Sequence, residues 1–283
     1  MLYLVLVSFI WAFSPGLIKG RLVGVDPTAV GVIRLALALV VFLPFFRPRG
    51  LRRATVLRLA IIGAVQFGLM YLMYLSAFTY LPAYAIGLFT ITTPLYLVVI
   101  DAIACRRWQP SYTLAALLAI AGAAVMVAKG GDLGSAWLRG FLLVQLSNLC
   151  FAAGQVAWRR ERAQVPTITS DAALFALPYL GAFLITALVS TITTDWNALH
   201  FTPSQLITLI YLGAIASGVA FFLWNFGASR VGTGTLAVLN NLKVPLTVTC
   251  SLLFFGEQAD LTRLACSFAC FGLALIVAGR TTP

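Results

Sequence analysis

Ten stretches of this 283-residue chain are each apolar over about the length a helix needs to cross a bilayer, and little sequence is left between them. Within a few residues they run over 2–19, 28–46, 58–79, 83–104, 111–129, 138–158, 171–193, 205–228, 231–254 and 261–279. In hydrocarbon every backbone polar group must be satisfied internally, so runs of this length fold as helices; the strands of a membrane barrel would alternate in runs of about ten residues. The connections are short, such as Tyr80-Leu81-Pro82 after the third segment and Arg230-Val231-Gly232 after the eighth. None has room for a water-soluble domain, which excludes catalysis in an appended domain. Charged residues make up 10% of the chain, against roughly 25% in soluble domains. The expectation is an all-α membrane protein of ten transmembrane helices. The first segment lacks a basic leader and a small-residue cleavage site, so it reads as a retained helix.

The net charge of +11 would suit a nucleic-acid binder if it were clustered on a folded surface, but the basic residues sit in short inter-segment loops, so no nucleic acid is expected. Their placement sets an orientation instead. With the N-terminus in the cytoplasm, Arg47, Arg49, Arg52, Arg53, Arg58, Arg106, Arg107, Arg159, Arg160, Arg162, Arg230 and Arg280 lie inside, and Lys19, Arg21, Lys129, Arg139 and Arg263 lie outside. Twelve against five favours both termini in the cytoplasm of a bacterial-type inner membrane. The five cysteines form no CxxC pair and read as small apolar residues, and His200 is the only histidine, so no metal and no cofactor is expected.

The two halves are related. A shift of 151 residues lays Pro94-Leu95 on Pro245-Leu246 and Ala77 on Ala228; a shift of 140 lays Trp11-Ala12 on Phe151-Ala152 and Lys19 on Arg159. Five helices per copy is an odd number, so the second copy must be inverted in the membrane, giving repeats over 1–130 and 138–280. Inverted repeats carry their solute site near the midplane between the copies.

These residues resemble the EamA-type members of the drug/metabolite transporter superfamily. The resemblance rests on Trp11-Ala12-Phe13-Ser14-Pro15 with Lys19, Pro27 followed by Arg34-Leu35-Ala36-Leu37-Ala38, Trp224-Asn225-Phe226-Gly227-Ala228, Val231-Gly232, Leu239 with Pro245, Gly256-Glu257, and a last apolar segment with Gly272 and Gly279. It covers nearly the whole chain. It implies ten helices, cytoplasmic termini, and export or exchange of small solutes, nearest the branch that carries carboxylates, amino acids and amines. Two departures stand out: Cys105-Arg106 follows the fourth segment where a Gly-Glu pair is expected, and Val244 precedes Pro245 where many relatives carry Glu. An acidic coupling site at that position is therefore not implied.

Charge at the bilayer centre costs about 2.5–3.5 kcal/mol on the insertion scale, so such residues face a cavity or a partner. Lys243, Arg34 and Asp101 are the three candidates for binding or coupling. Lys243 shares a helical face with Asn240, Val244 and Thr247, a combination of ammonium, amide and hydroxyl suited to a carboxylate; a fold-holding contact to a neighbouring helix is the alternative. Arg34 can bind an anion or anchor helices. Asp101 can carry a proton or pair with Arg106 or Arg107. Candidate substrate-binding residues are Lys243, Asn240, Asn241, Trp11, Ser14, Gln66, Tyr74, Thr90, Thr93, Asn148, Gln155, Trp224 and Asn225, with Tyr71 and Tyr84 as further rings for an apolar or aromatic pocket. Each amide taken singly is equally explained as interhelical glue. Small residues Ala115, Ala119, Ala123, Ala265 and Ala269 suit close packing, within a scaffold or across a homodimer.

The reading is a secondary transporter of small metabolites, amino acids or related carboxylates, working by alternating access in contact with lipid. A channel or non-transport scaffold is the alternative. A membrane enzyme would need clustered acids, His or Cys, and no Walker-type phosphate loop is present to couple ATP.

Overall fold

The computed structural model describes residues 1–47, 50–81, 86, 89–127, 136–166, 168–254 and 261–279. Tyr84, Arg49, Gly256 and Glu257 lie outside the described residues, and so does the Thr247 side chain. All regular structure among the described residues is helical. Among the described residues six helices are long and apolar enough to cross a membrane: Pro27–Phe45, Arg53–Ala77, Trp137–Gln164, Asp171–Thr193, Pro203–Ala228 and Leu261–Gly279. Shorter apolar helices cover Leu2–Ile18, Thr93–Cys105 and Pro110–Val125, and a 22-residue helix runs over Thr233–Phe254.

Several segments depart from straight α-helix, each for a local reason. The first is divided at Phe13 into α1 (Leu2–Ala12) and α2 (Ser14–Arg21), because Pro15 has no N–H to continue the ladder. The third and eighth each contain a π-helical stretch, Ala64–Leu69 and Tyr211–Val219. These occupy corresponding places under the 151-residue shift. Such bulges misalign the backbone ladder and concentrate at functional sites. The sixth segment extends past its apolar part to Gln164, carrying Arg159, Arg160, Glu161 and Arg162 on the same helix.

Close packing is achieved by removing side chains. A Cβ on Gly63 would overlap the backbone of Pro178, and one on Gly181 would overlap the carbonyl of Ala60, so helices Arg53–Gly63 and Asp171–Thr193 run backbone against backbone. Ala115, Ala119 and Ala123 are spent inside the chain, buried with Phe271, Ala274 and Ala278, while Ala265 and Ala269 remain exposed. The main core gathers Leu4, Leu35, Phe67, Trp158, Phe175, Tyr179 and Trp224 from both halves.

The two ends of the bundle differ. At one end Asp171 pairs with Arg162 and with Arg230, and Arg58 pairs with Glu161. These are the ion pairs among the described residues. At the opposite end a cavity of about 780 Å³ opens between Ile18–Pro27, Leu75–Leu81 and Asp195–Leu199.

Candidate functional site

Trp11 organises the centre. It lies two residues before the break in the first segment, and its Nε1 donates to the carbonyl of Ala216 at 2.9 Å, inside the π-helical stretch of the eighth segment. Its ring centroid is 6.1 Å from Phe151, 5.3 Å from Phe221 and 5.0 Å from Trp224. The ammonium of Lys243 stands 5.7 Å from the Trp11 centroid. This is cation–π range, in which the ring face attracts a desolvated charge. Four rings from three helices and one ammonium from a fourth thus form a box in the interior.

Below this box lies a layer of amides. Trp224 Nε1 donates to Gln155 Oε1 at 2.9 Å, and the Asn240 amide reaches the same oxygen at 3.4 Å and the carbonyl of Leu236 at 2.9 Å. Gln66 Nε2 donates to Asn225 Oδ1 at 3.1 Å. Gly154 makes that contact possible, since a Cβ there would collide with the Gln66 side chain. Gln66, Gln155, Asn225 and Asn240 are buried, and each amide is hydrogen-bonded. The layer can exchange partners with a solute that carries both donors and acceptors.

A second polar cluster joins the fourth and sixth segments. Thr92 donates to Gln145 Oε1 at 2.8 Å, Tyr96 donates to the same oxygen at 3.1 Å, and Asn148 Nδ2 donates to the carbonyl of Phe89 at 2.9 Å. Asn241 Nδ2 donates to the carbonyl of Ile91 at 2.8 Å, while its Oδ1 is sealed without a partner, as is the hydroxyl of Ser14.

Of the expected site residues, Trp11, Gln66, Gln155, Trp224, Asn225, Asn240 and Lys243 therefore converge. Asn148 and Asn241 stand beside them. Thr93 turns back to the carbonyl of Thr90 at 2.7 Å, and Tyr74 meets Phe78 edge-on at 5.4 Å near the open end. Asp101 is not at the centre and does not pair with Arg106 or Arg107. Its Oδ2 accepts from Thr233 at 2.7 Å, and Arg159 donates to that Thr233 hydroxyl at 2.8 Å, so it belongs to the ion-paired end. A bond across the two halves displaced the neighbours along the chain. Arg34 is 3% exposed and lies nearer the open end, held by Tyr71 and Ser217.

Sequence reasoning missed Phe151, Phe221, Gln145, Thr92 and Ser217 as site residues. Two of them carried a usable signal. Gln145 lies three residues before Asn148 on the same helical face, and Ser217 is the 151-residue counterpart of Gln66.

Comparison with known proteins covers nearly the whole chain. The family described as EamA-like transporter family matches residues 1–128 and 138–279. A Salmonella typhimurium protein named biotin transporter is 38% identical over 260 residues, covering 91% of this chain and 86% of its own length. A Pseudomonas aeruginosa protein named probable biotin transporter is 37% identical over 279 residues, covering 98% of this chain and 95% of its own. A protein of Ancylobacter novellus named aromatic amino acid exporter YddG is 30% identical over 216 residues, with 73% and 68% covered. One solved structure superposes with a TM-score of 0.78 at 21% identity, covering 100% of this chain and 97% of the other, which speaks to the fold alone.

Proposed function

Because this chain belongs to the EamA-like transporter family, and is therefore a multi-pass membrane protein that transports a small molecule, we propose that its solute is a carboxylate with an apolar ring body, biotin in the first place. Biotin has a carboxylate on an aliphatic tail and a cyclic urea fused to a thioether ring. The observation that carries the reading is the ammonium of Lys243 over Trp11, in a box closed by Phe151, Phe221 and Trp224. The ammonium suits the carboxylate and the rings suit the apolar body. The amides of Gln155, Asn240, Gln66 and Asn225 match the donors and acceptor of a urea. The sealed Oδ1 of Asn241, on the helix that carries Lys243, is an acceptor in want of a donor.

The proposal includes ten membrane-spanning helices in two inverted repeats, 1–130 and 138–280, with both termini cytoplasmic in a bacterial inner membrane. The paired π-helical stretches at corresponding places in the third and eighth segments support it. Asn240, Asn241, Trp11, Ser14, Gln66, Tyr74, Thr90, Thr93, Asn148, Gln155, Trp224 and Asn225 remain proposed binding residues, Asp101 a proposed coupling residue at the paired end, and alternating access the proposed mechanism. A second reading, an aromatic amino acid as solute, is favoured by the ring box together with the exporter from Ancylobacter novellus.

Counterflow in proteoliposomes tests both. Labelled biotin exchanges saturably against internal biotin, and excess tryptophan does not compete; the opposite pattern moves the assignment to the amino acid. Unsaturable flux points to a channel, and none for any solute to a scaffold. Lys243→Ala abolishes exchange while the protein still inserts and folds; full activity in that variant removes Lys243 from the site.

A further inference from the structure

Among the described residues Arg34 is a guanidinium without a counter-charge. It is 3% exposed, and among the described residues no carboxylate lies within ion-pair distance of it. A charge taken out of water is expensive unless it is paired. Its partners are neutral: Nε donates to Ser217 Oγ at 3.1 Å, Nη2 donates to Tyr71 Oη at 2.5 Å, and its Cζ sits 4.5 Å from the Tyr71 ring centroid. Those hydroxyls are not held by Arg34 alone. The Tyr71 and Ser217 oxygens are 2.9 Å apart, and Ser217 donates to the Leu212 carbonyl at 2.7 Å, an i to i−5 contact that the π-helical stretch supplies. A guanidinium has five N–H donors in a planar fork, and Nη1 donates to no described residue. The arrangement supplies a rigid cation with donors to spare and, among the described residues, no anion.

Its place in the bundle says where the anion comes from. Arg34 lies seven residues along from Pro27, and Tyr71 one turn from Leu75; Pro27 and Leu75 both line the cavity at the open end. On the other side Tyr71 packs on Phe221 at 5.6 Å, Phe221 on Trp11 at 5.3 Å, and Lys243 faces Trp11. One cation therefore stands on the cavity side of the ring box and another beyond it.

We infer that Arg34, set by Tyr71 and Ser217, is a carboxylate subsite of its own on the cavity side of the ring box, separate from Lys243, which takes the anionic end of the solute between the open cavity and the centre. The inference rests on the transport reading above for the identity of the solute, not for the chemistry of the subsite. Fork geometry favours a carboxylate bound through two oxygens. A fold-holding arginine would behave differently: its removal would loosen the ligand-free protein and weaken every ligand alike.

The test uses the purified full-length protein in detergent, with biotin, uncharged biotinamide and pentanoate as probes. In Arg34→Met the preference for biotin over biotinamide, read as the ratio of their Kd values, falls by about tenfold or more. Arg34→Lys, which keeps the charge and loses the fork, recovers part of it. Without ligand, the melting midpoint of Arg34→Met equals or exceeds that of the wild type, because the Tyr71–Ser217–Leu212 chain is satisfied without the guanidinium. A ligand-free midpoint lowered by more than about 5 °C, with both Kd values rising together, overturns the inference and makes Arg34 structural. If biotin does not bind at all, the substrate assignment fails, and pentanoate decides the subsite: stabilisation lost in Arg34→Met supports it, and no stabilisation of the wild type by any carboxylate overturns it.

Discussion

The two ends of the bundle are held by different interactions. At one end three ion pairs and the chain Arg159–Thr233–Asp101 tie together the ends of helices from both halves, and Arg160 reaches the carbonyl of Ala104. At the other end the acids form no ion pair among the described residues and cap turns, with Asp26 also accepting across the two halves. Asp26 accepts from the backbone N–H of Ala29 at 2.8 Å and from Thr194 at 2.7 Å, Asp195 accepts from Asn197 N–H at 3.1 Å, and a cavity opens beside them. The half-exposed Arg58 and Arg230 can turn to water, so their pairs part and re-form at lower cost than the largely buried Arg162–Asp171 pair. Apolar packing cannot be undone so cheaply. Alternating access, as proposed above, requires one end to shut while the other opens, and here the shut end is the one tied by charge.

The largest effect that would break this contrast is in thiol reactivity. Cys105 is exposed near the paired end, and Ala198 is exposed at the cavity. In intact cells an impermeant maleimide labels Ala198→Cys and spares Cys105; the reverse pattern overturns the proposed orientation. In a background freed of native cysteines, Thr233→Cys, at a position 4% exposed, reacts on the order of a hundredfold more slowly than Ala198→Cys. Equal rates would mean that the paired end is not shut.

Next in size is Asp171→Asn. The Asp171 side chain is 4% exposed and neutralises both Arg162 and Arg230. Removing its charge leaves Arg162, 15% exposed, largely buried and uncompensated, which costs about 3 kcal/mol; the half-exposed Arg230 turns to water and adds little. Denaturation in mild detergent measures it. A loss near zero would show that the paired end is decorative.

Much of this architecture was legible in the sequence, because lipid imposes a strong pattern. The seventh and tenth segments, 171–193 and 261–279, coincide with helices Asp171–Thr193 and Leu261–Gly279. Polar groups inside apolar runs pointed to Lys243, Gln66, Gln155 and Asn225, which the structure brings near one another. Two kinds of feature were illegible. Ring partners such as Phe151 and Phe221 look the same as lipid-facing filler until the helix rotation is known. The π-helical stretches depend on where tertiary contacts let a carbonyl go unpaired, as with Leu212 and Ser217, and no local propensity announces it. The charged tail Arg159–Arg162 reads as a loop because it is polar, yet helix continues where a helix leaves the membrane and no longer needs apolar residues. Asp171 is nine residues from Arg162, but Thr233, which Arg159 reaches, and Asp101, which Thr233 reaches in turn, come from distant parts of the chain, so local spacing does not give Asp101 its partner.

The smallest effect is that of Glu161→Gln, and it sharpens the contrast by separating the two ion-pair sites at the same end. Glu161 holds Arg58 through two bonds, Nε to Oε2 at 2.7 Å and Nη2 to Oε1 at 3.0 Å, and joins helix Arg53–Gly63 to helix Trp137–Gln164. The geometry is the fork that suits arginine best. Yet the Arg58 side chain is 49% exposed, so water replaces much of what the carboxylate gives it, and Thr55 stays within reach of Nη2 at 3.3 Å. Glutamine keeps the shape and one acceptor. The expected loss of stability is therefore smaller than for Asp171→Asn, and it fades as salt is raised from 0.05 to 0.5 M, roughly the range over which screening removes exposed pairs. The Asp171→Asn loss persists in the same salt series, because Arg162 remains out of reach of the counterions. Equal losses in the two variants, or equal salt dependence, would mean that burial does not grade these ties, and the reading of the paired end as a set of separable latches would fall.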